Sequence, residues 1–197
     1  MELILASQSP RRREIMQLLN LKFKVITSDV EEDVIEKKMW DASPEAIAQH
    51  LSKSKSLAVA EQVGSGLVLG ADTIVVLDGK MYGKPSDESA LRKMMQAFSG
   101  RTHQVFTSVT ITDAEKMNAV SLTAVTEVTF RNITSRELDW YAANANYKDK
   151  AGGYAIQEHA ALFISGICGC YYNVVGLPVQ ETLALLALFG KSWEDFQ

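Results

Sequence analysis

Two cysteines and three histidines are all that this chain of 197 residues holds of those types, and each shortage excludes a class of protein. Cys168 and Cys170 are separated by one residue, a spacing too tight for an ordinary disulfide framework, and no second pair completes a zinc site. His50, His103 and His159 form no H-E-x-x-H pattern, so each is expected to be structural or exposed. The G-x-S-x-G elbow, the Walker A loop and G-x-G-x-x-G are all missing, which argues against a serine hydrolase, a P-loop enzyme and a dinucleotide-binding fold. No run approaches the roughly 20 apolar residues that span a bilayer. In MELILASQSPRRR the basic residues follow the apolar run, the reverse of a secretory signal. A cytoplasmic protein with reduced thiols and no membrane partner is the expectation. The net charge of −4 speaks against a nucleic-acid-binding surface.

What is present suits a folded mixed α/β chain. An apolar fraction of 47% supports a substantial core. Residues 2–6, 22–28, 67–77, 105–112 and 119–130 read as strands, with Asp78-Gly79 as a turn after the third. Helices are expected over 10–19, 44–63 and 87–98, from the capping box Thr134-x-x-Glu137, and from Pro178 to just before Gly190. Residues 29–33 read as an acidic loop, and 162–167 with 171–175 as two paired strands around a glycine turn. No repeat or long linker interrupts the chain, so residues 1–197 are expected to form a single domain with two lobes around one cleft.

Several groups of polar residues bear on a functional reading. In LASQSPRRREI (residues 5–15) Ser9-Pro10 looks like a hydroxyl cap followed by a helix start, yet Arg11, Arg12 and Arg13 crowd an end where backbone N–H groups favour anions. Arg11 and Arg12 continue the inward stripe of Ile15, Leu18 and Leu19, and Arg13 turns to solvent. Two guanidinium forks there suit phosphate oxygens. Pairing with Glu14 or Glu31 is the plainer alternative. Asp72 lies in the apolar run LVLGADTIVVL, where a buried carboxylate must find a cation, a metal or hydrogen bonds. Gly70 and Ala71 before it leave room for a ligand.

Lys55 falls on the apolar stripe of Ile47, Leu51 and Ala58, so it either snorkels to solvent or reaches a polar cleft. Lys84 sits between Gly83 and Pro85; alone it reads as a solvated lysine. YKDKAGGYAIQ (residues 147–157) carries Gly152-Gly153 among Asp149, Lys150 and Gln157, an ordered loop rather than a linker. Glu31-Glu32 reads as a solvated pair or a source of hard oxygen ligands for Mg²⁺ or Mn²⁺. Together these groups suggest metal-assisted chemistry on a polyphosphate.

LASQSPRRREI, GADTIVVLDGKMYGKP, FSGRTHQVFTSV and DKAGGYAIQ stand in order along the chain. In these blocks the sequence resembles the Maf family of nucleoside triphosphate pyrophosphatases. The resemblance implies an α/β fold related to the inosine triphosphate pyrophosphatases (Maf/Ham1-like), with an elongated mixed sheet, flanking helices and two lobes around a central cleft. It implies hydrolysis of a nucleoside triphosphate to the monophosphate and pyrophosphate, a divalent metal cation (Mg or Mn) and a homodimer. By motif, Ser7, Arg11, Arg12, Lys55 and Lys84 would bind phosphates. Glu32 and Asp72 would hold or orient the metal, and Asp72 would be the proton acceptor, the metal ligand or both.

Within the family, the blocks look like the branch acting on dTTP and UTP, and modified pyrimidine nucleotides are included in that expectation. Arg12, Thr73 and Gln157 fall where that branch places its specificity residues. A glutamine amide offers one donor and one acceptor to the O4 and N3–H edge of uracil or thymine. The alternatives are a branch acting on 7-methyl-GTP and a nucleotide-binding regulator of cell division with incidental hydrolysis. SGICGCYYN departs from the family, whose late strand pair often carries a short polar turn.

Overall fold

A computed structural model describes residues 1–197. The strands are β1 (Leu3–Ala6), β2 (Lys24–Val25), β3 (Leu67–Leu77), β4 (Lys80–Tyr82), β5 (Thr102–Asp113), β6 (Asn118–Phe130) and β7 (Ile164–Cys168). The helices are α1 (Pro10–Leu18), α2 (Glu32–Lys38), α3 (Pro44–Val63), α4 (Glu88–Phe98), α5 (Ser135–Asn144), α6 (Tyr171–Val175) and α7 (Val179–Leu188). The seven strands form one sheet in the order β2-β1-β3-β5-β6-β7, with β4 paired to β3. β1 runs parallel to β2 and β3, whereas β4 and β7 are antiparallel to β3 and β6, so the sheet is mixed, as expected. Two compact units divide the chain: Met1–Asp72, Thr107–Ala124 and Gly176–Gln197 form the first, Thr73–Phe106 and Val125–Val175 the second.

In the first unit, β1 is buried at every position and α3 packs beside it. Ser43 accepts the Ala46 N–H at 3.2 Å and Pro44 opens the helix, while Gly64 ends it at φ 69°. The buried face of α3 is Ile47, Ala48, Leu51, Ser52, Lys55, Ser56, Val59 and Ala60, with Val59 in the place expected of the exposed Ala58. Three of those residues are polar, and the sheet answers them. The Ser56 hydroxyl donates to Val68 O at 2.7 Å and pairs with Thr112 at 2.7 Å; Ser52 meets Ser108 at 3.1 Å and Thr110 at 2.8 Å.

Gly70 explains the close approach. A Cβ there would stand 2.3 Å from Ser52 O and 2.8 Å from Ser56 N. The space ahead of Asp72, expected to admit a ligand, is filled by the backbone of α3. Two expectations for α1 also change. The Ser9 hydroxyl makes no cap, and its N–H instead donates to Ser7 Oγ at 3.1 Å. Ile15 and Met16 form the buried stripe, and Leu18 is exposed. A second unexpected element is α2. Glu31 and Glu32 stand at a helix start rather than in a loop, with Glu32 and Asp33 in its first turn and Lys37 and Lys38 in its last, an arrangement favoured by the helix dipole.

The second unit holds an aromatic core of Phe98, Phe130, Tyr141, Tyr154 and Phe163 among Val75, Leu91, Met95 and Val128. Asp78 and Gly79 adopt φ 51° and 73°, the left-handed pair that a tight hairpin turn between β3 and β4 needs. Thr134 and Glu137 close the expected capping box on α5. Only the late strand pair fails. β7 pairs with β6, but residues 171–175 form α6. At Gly169 (φ 125°) the chain bends away, and Thr126 Oγ1 takes both the N–H and the carbonyl of Cys170. Those two backbone groups are bonded to a side chain and not to the ladder, and β7 ends at Cys168.

Candidate functional site

The first unit brings Ser7, Arg11, Arg12, Glu32, Lys55 and Asp72 into one charged group. Ser7 follows the last residue of β1 and is buried. Its hydroxyl takes the Ser9 N–H and Arg12 Nη1 at 3.2 Å, and Arg12 Nε donates to Gly176 O at 2.8 Å. The guanidinium is thus held at two of its nitrogens by fixed protein groups. Burial pulls Arg12 below its ordinary pKa; Asp72 and Glu32 oppose that shift and Arg11 adds to it. Arg12 therefore shares one electrostatic environment with both carboxylates and with Arg11. Arg11 and Arg12 are half-buried and Arg13 is exposed, as helical spacing predicts.

Lys55 does not snorkel. Its Nζ donates to Asp72 Oδ1 at 2.6 Å and lies 2.8 Å from Glu32 Oε1. α3 delivers the ammonium, β3 delivers Asp72, and the first turn of α2 delivers Glu32. A buried carboxylate beside a buried ammonium answers the desolvation cost of each. Both carboxylates converge on one cationic position, and no group of three or more His, Cys, Asp or Glu side chains is assembled for a closed metal cage. Two hard oxygen donors of this kind fit Mg²⁺ or Mn²⁺, which take one or two carboxylates and fill the remaining positions with water and phosphate oxygens.

Thr73, Lys84 and Gln157 belong to the second unit. Thr73 is half-buried on β3, and Lys84 and Gln157 are exposed. Lys84 follows Gly83, whose carbonyl accepts the Gly152 N–H at 3.0 Å. Gly152 and Gly153 both adopt left-handed φ, near 70°, and a Cβ on Gly153 would stand 2.6 Å from Leu91 Cδ1. The loop before Gln157 is ordered, as expected, because it is packed onto its own unit's core.

Sequence reasoning left several supports unassigned. Lys150 is only 2% exposed; its Nζ bonds Asn146 O, Asp149 Oδ1 at 2.9 Å and Glu158 Oε1 at 3.4 Å. Ser52 and Ser56 flank Lys55 on α3, and their small size at a spacing of four, facing Gly70, was a legible sign of a close helix–strand contact. The role of the Gly176 carbonyl left no signal in the sequence.

A family model described as "Maf-like protein" matches residues 2–189. The chain is similar to the dTTP/UTP pyrophosphatase of Desulforamulus reducens, with 42% identity over 188 residues, covering 95% of this chain and 96% of that one. It is 43% identical over 188 residues to the dTTP/UTP pyrophosphatase of Bacillus cytotoxicus, with 95% of each chain covered. Against the protein of the same name from Bacillus mycoides, identity is 42% over 190 residues and 96% of each chain.

Proposed function

The chain belongs to the Maf-like protein family, and on that premise we propose that it is a metal-dependent pyrophosphatase that hydrolyses dTTP and UTP to the monophosphate and pyrophosphate. The observation that carries this reading is Lys55 Nζ held between Asp72 and Glu32 in a group that also contains Arg11 and Arg12. Purely passive phosphate binding needs the cations but gives no reason to bury a carboxylate among them. The names of relatives 42–43% identical over nearly the whole chain support the choice of substrate.

In this reading Arg11 and Arg12 bind the phosphates, with Lys84 completing the cationic set. Ser7 and the Gly176 carbonyl fix the rotamer of Arg12, so little side-chain entropy remains to be lost when substrate binds. Asp72 accepts the proton of the attacking water. Lys55 orients Asp72 and adds positive charge where negative charge develops on the phosphates. Mg²⁺ or Mn²⁺ would be held by Glu32 and Asp72, and when bound would polarise the phosphoryl oxygens. Thr73 and Gln157, with Arg12, select the base. Two lobes around one cleft and a cytoplasmic location, both expected from the sequence, and a homodimer, implied by the resemblance, complete the reading.

Pyrophosphate release tests it, measured with dTTP, UTP, CTP, ATP, GTP and 7-methyl-GTP, in Mg²⁺, in Mn²⁺ and with chelator. The expected result is preference for dTTP and UTP, lost with chelator and in Asp72→Asn. A preference for 7-methyl-GTP would move the chain to another substrate, and absence of turnover on every nucleotide would overturn the reading.

A further inference from the structure

Cys168 and Cys170 take no part in the site above. Cys168 ends β7 opposite Glu127 of β6 and is exposed; Cys170 is half-buried; neither forms a disulfide. The backbone around them is fixed. Cys168 is held by the strand ladder. Thr126 Oγ1 accepts the Cys170 N–H at 3.0 Å, accepts Asn173 Nδ2 at 2.8 Å and donates to the Cys170 carbonyl at 3.1 Å, which fills the capacity of a hydroxyl. The residue between the thiols must be glycine. Gly169 has φ 125°, and a Cβ there would stand 2.8 Å from Thr126 Oγ1 and 3.1 Å from Val125 O.

Two residues of chain span at most about 7 Å, and the bend at Gly169 shortens that. A direct disulfide requires Cβ atoms about 3.5–4.5 Å apart, whereas a bridge through one intervening atom tolerates a wider pair. Thiols select soft ligands. A structural zinc needs about four protein ligands, and no group of three or more His, Cys, Asp or Glu is placed to hold a metal ion. An organic trivalent arsenical has two open valences and needs only two sulfurs.

We propose that Cys168 and Cys170 form a surface dithiol site that binds a trivalent arsenical through both sulfurs. With an arsenoxide, R–As=O, the two S–H bonds break and two As–S bonds form. The oxygen leaves with both protons as water, and arsenic stays trivalent, so no oxidant or reductant enters. This site is independent of the pyrophosphatase reading.

The test uses the full-length protein, reduced with a phosphine, and phenylarsine oxide as the probe. Intact-mass measurement is expected to show one adduct per chain, formed with loss of one water, stable to a monothiol and released by a small dithiol. Cys168→Ser and Cys170→Ser should each weaken binding about 10²-fold, the loss of one arm of a chelate. Thermal unfolding confirms that both variants fold; Cys168, being exposed, is the substitution least able to disturb packing. Undiminished binding in the Cys168→Ser variant, two adducts per chain, or an adduct removed by monothiol would each overturn the proposal.

Discussion

Lys55 Nζ lies 2.6 Å from Asp72 Oδ1, with only 9% of either side chain exposed. Neither group could be buried alone without a penalty of several kcal/mol per ion, so α3 and β3 are locked in one register by the same contact that places the charges for chemistry. Glu32, at 2.8 Å from the same ammonium and with 37% of its side chain exposed, is the more accessible member of the trio.

Asp72→Asn keeps the shape of the side chain and removes its charge. Glu32 still pairs Lys55, so the variant should lose much less than the ~3–5 kcal/mol that follows from fully orphaning a buried charge. Turnover of dTTP should fall about 10²–10⁴-fold, the range for loss of a general base, with nucleotide binding retained. Steady-state kinetics, nucleotide titration and thermal unfolding on one preparation separate the three effects.

Gly70→Ala tests the helix–strand contact. The new Cβ would meet backbone atoms, Ser52 O and Ser56 N, at 2.3 and 2.8 Å, so the helix must move. Overpacking of this kind costs about 1–3 kcal/mol, read from urea unfolding. Because Lys55 rides on the displaced helix, kcat should drop as well. A variant as stable and as active as the parent would contradict the contact.

His103 sets a pH dependence. It is buried, its Nε2 lies 2.7 Å from Tyr154 Oη, and its ring stacks on Phe98 at 4.4 Å. Burial lowers its pKa from 6.5 to about 4. Between those values the unfolded chain binds a proton that the folded protein does not, so stability declines as pH falls through that window. The slope from this group is about 1.4 kcal/mol per pH unit. Denaturant unfolding from pH 4.5 to 7 should show a shallower decline in His103→Asn than in the parent.

Lys150→Met removes the ammonium that gathers Asn146, Asp149 and Glu158. Hydrogen bonds to a charged group are worth about 1.5–3 kcal/mol, and a stability loss of about that size is expected. The same loop runs on to Gln157. If Gln157 selects the base, KM for dTTP should rise more than kcat falls, and the margin over CTP should shrink. A lowered melting temperature with unchanged KM and selectivity would confine Lys150 to stability.

β4 (Lys80–Tyr82) was not read as a strand, and only Lys24–Val25 of the strand expected over 22–28 forms. By contrast, β1, β3, β5 and β6, the capping box at Thr134 and Glu137, the Asp78-Gly79 turn and the inward set of Arg11 and Arg12 were legible in the sequence. Each follows from chemistry within a few residues: apolar alternation, a reciprocal cap, a left-handed turn pair and helical spacing. The misfit of Asp72 among apolar neighbours was legible for the same reason, and so was the need for a partner.

Which partner, and what space it used, belonged to the tertiary structure. Periodicity placed Lys55 on a buried stripe, but only the docking of α3 on β3 chose Asp72 over solvent, and the same docking turned Gly70 from a space for ligand into a seat for a helix. Residues 171–175 carried the look of a strand until Thr126, more than 40 residues earlier in the chain, took both backbone groups of Cys170. A local pattern fixes which face a side chain presents; the group that meets it is fixed by contacts distant in sequence, because a buried polar atom's free energy depends on the atom facing it.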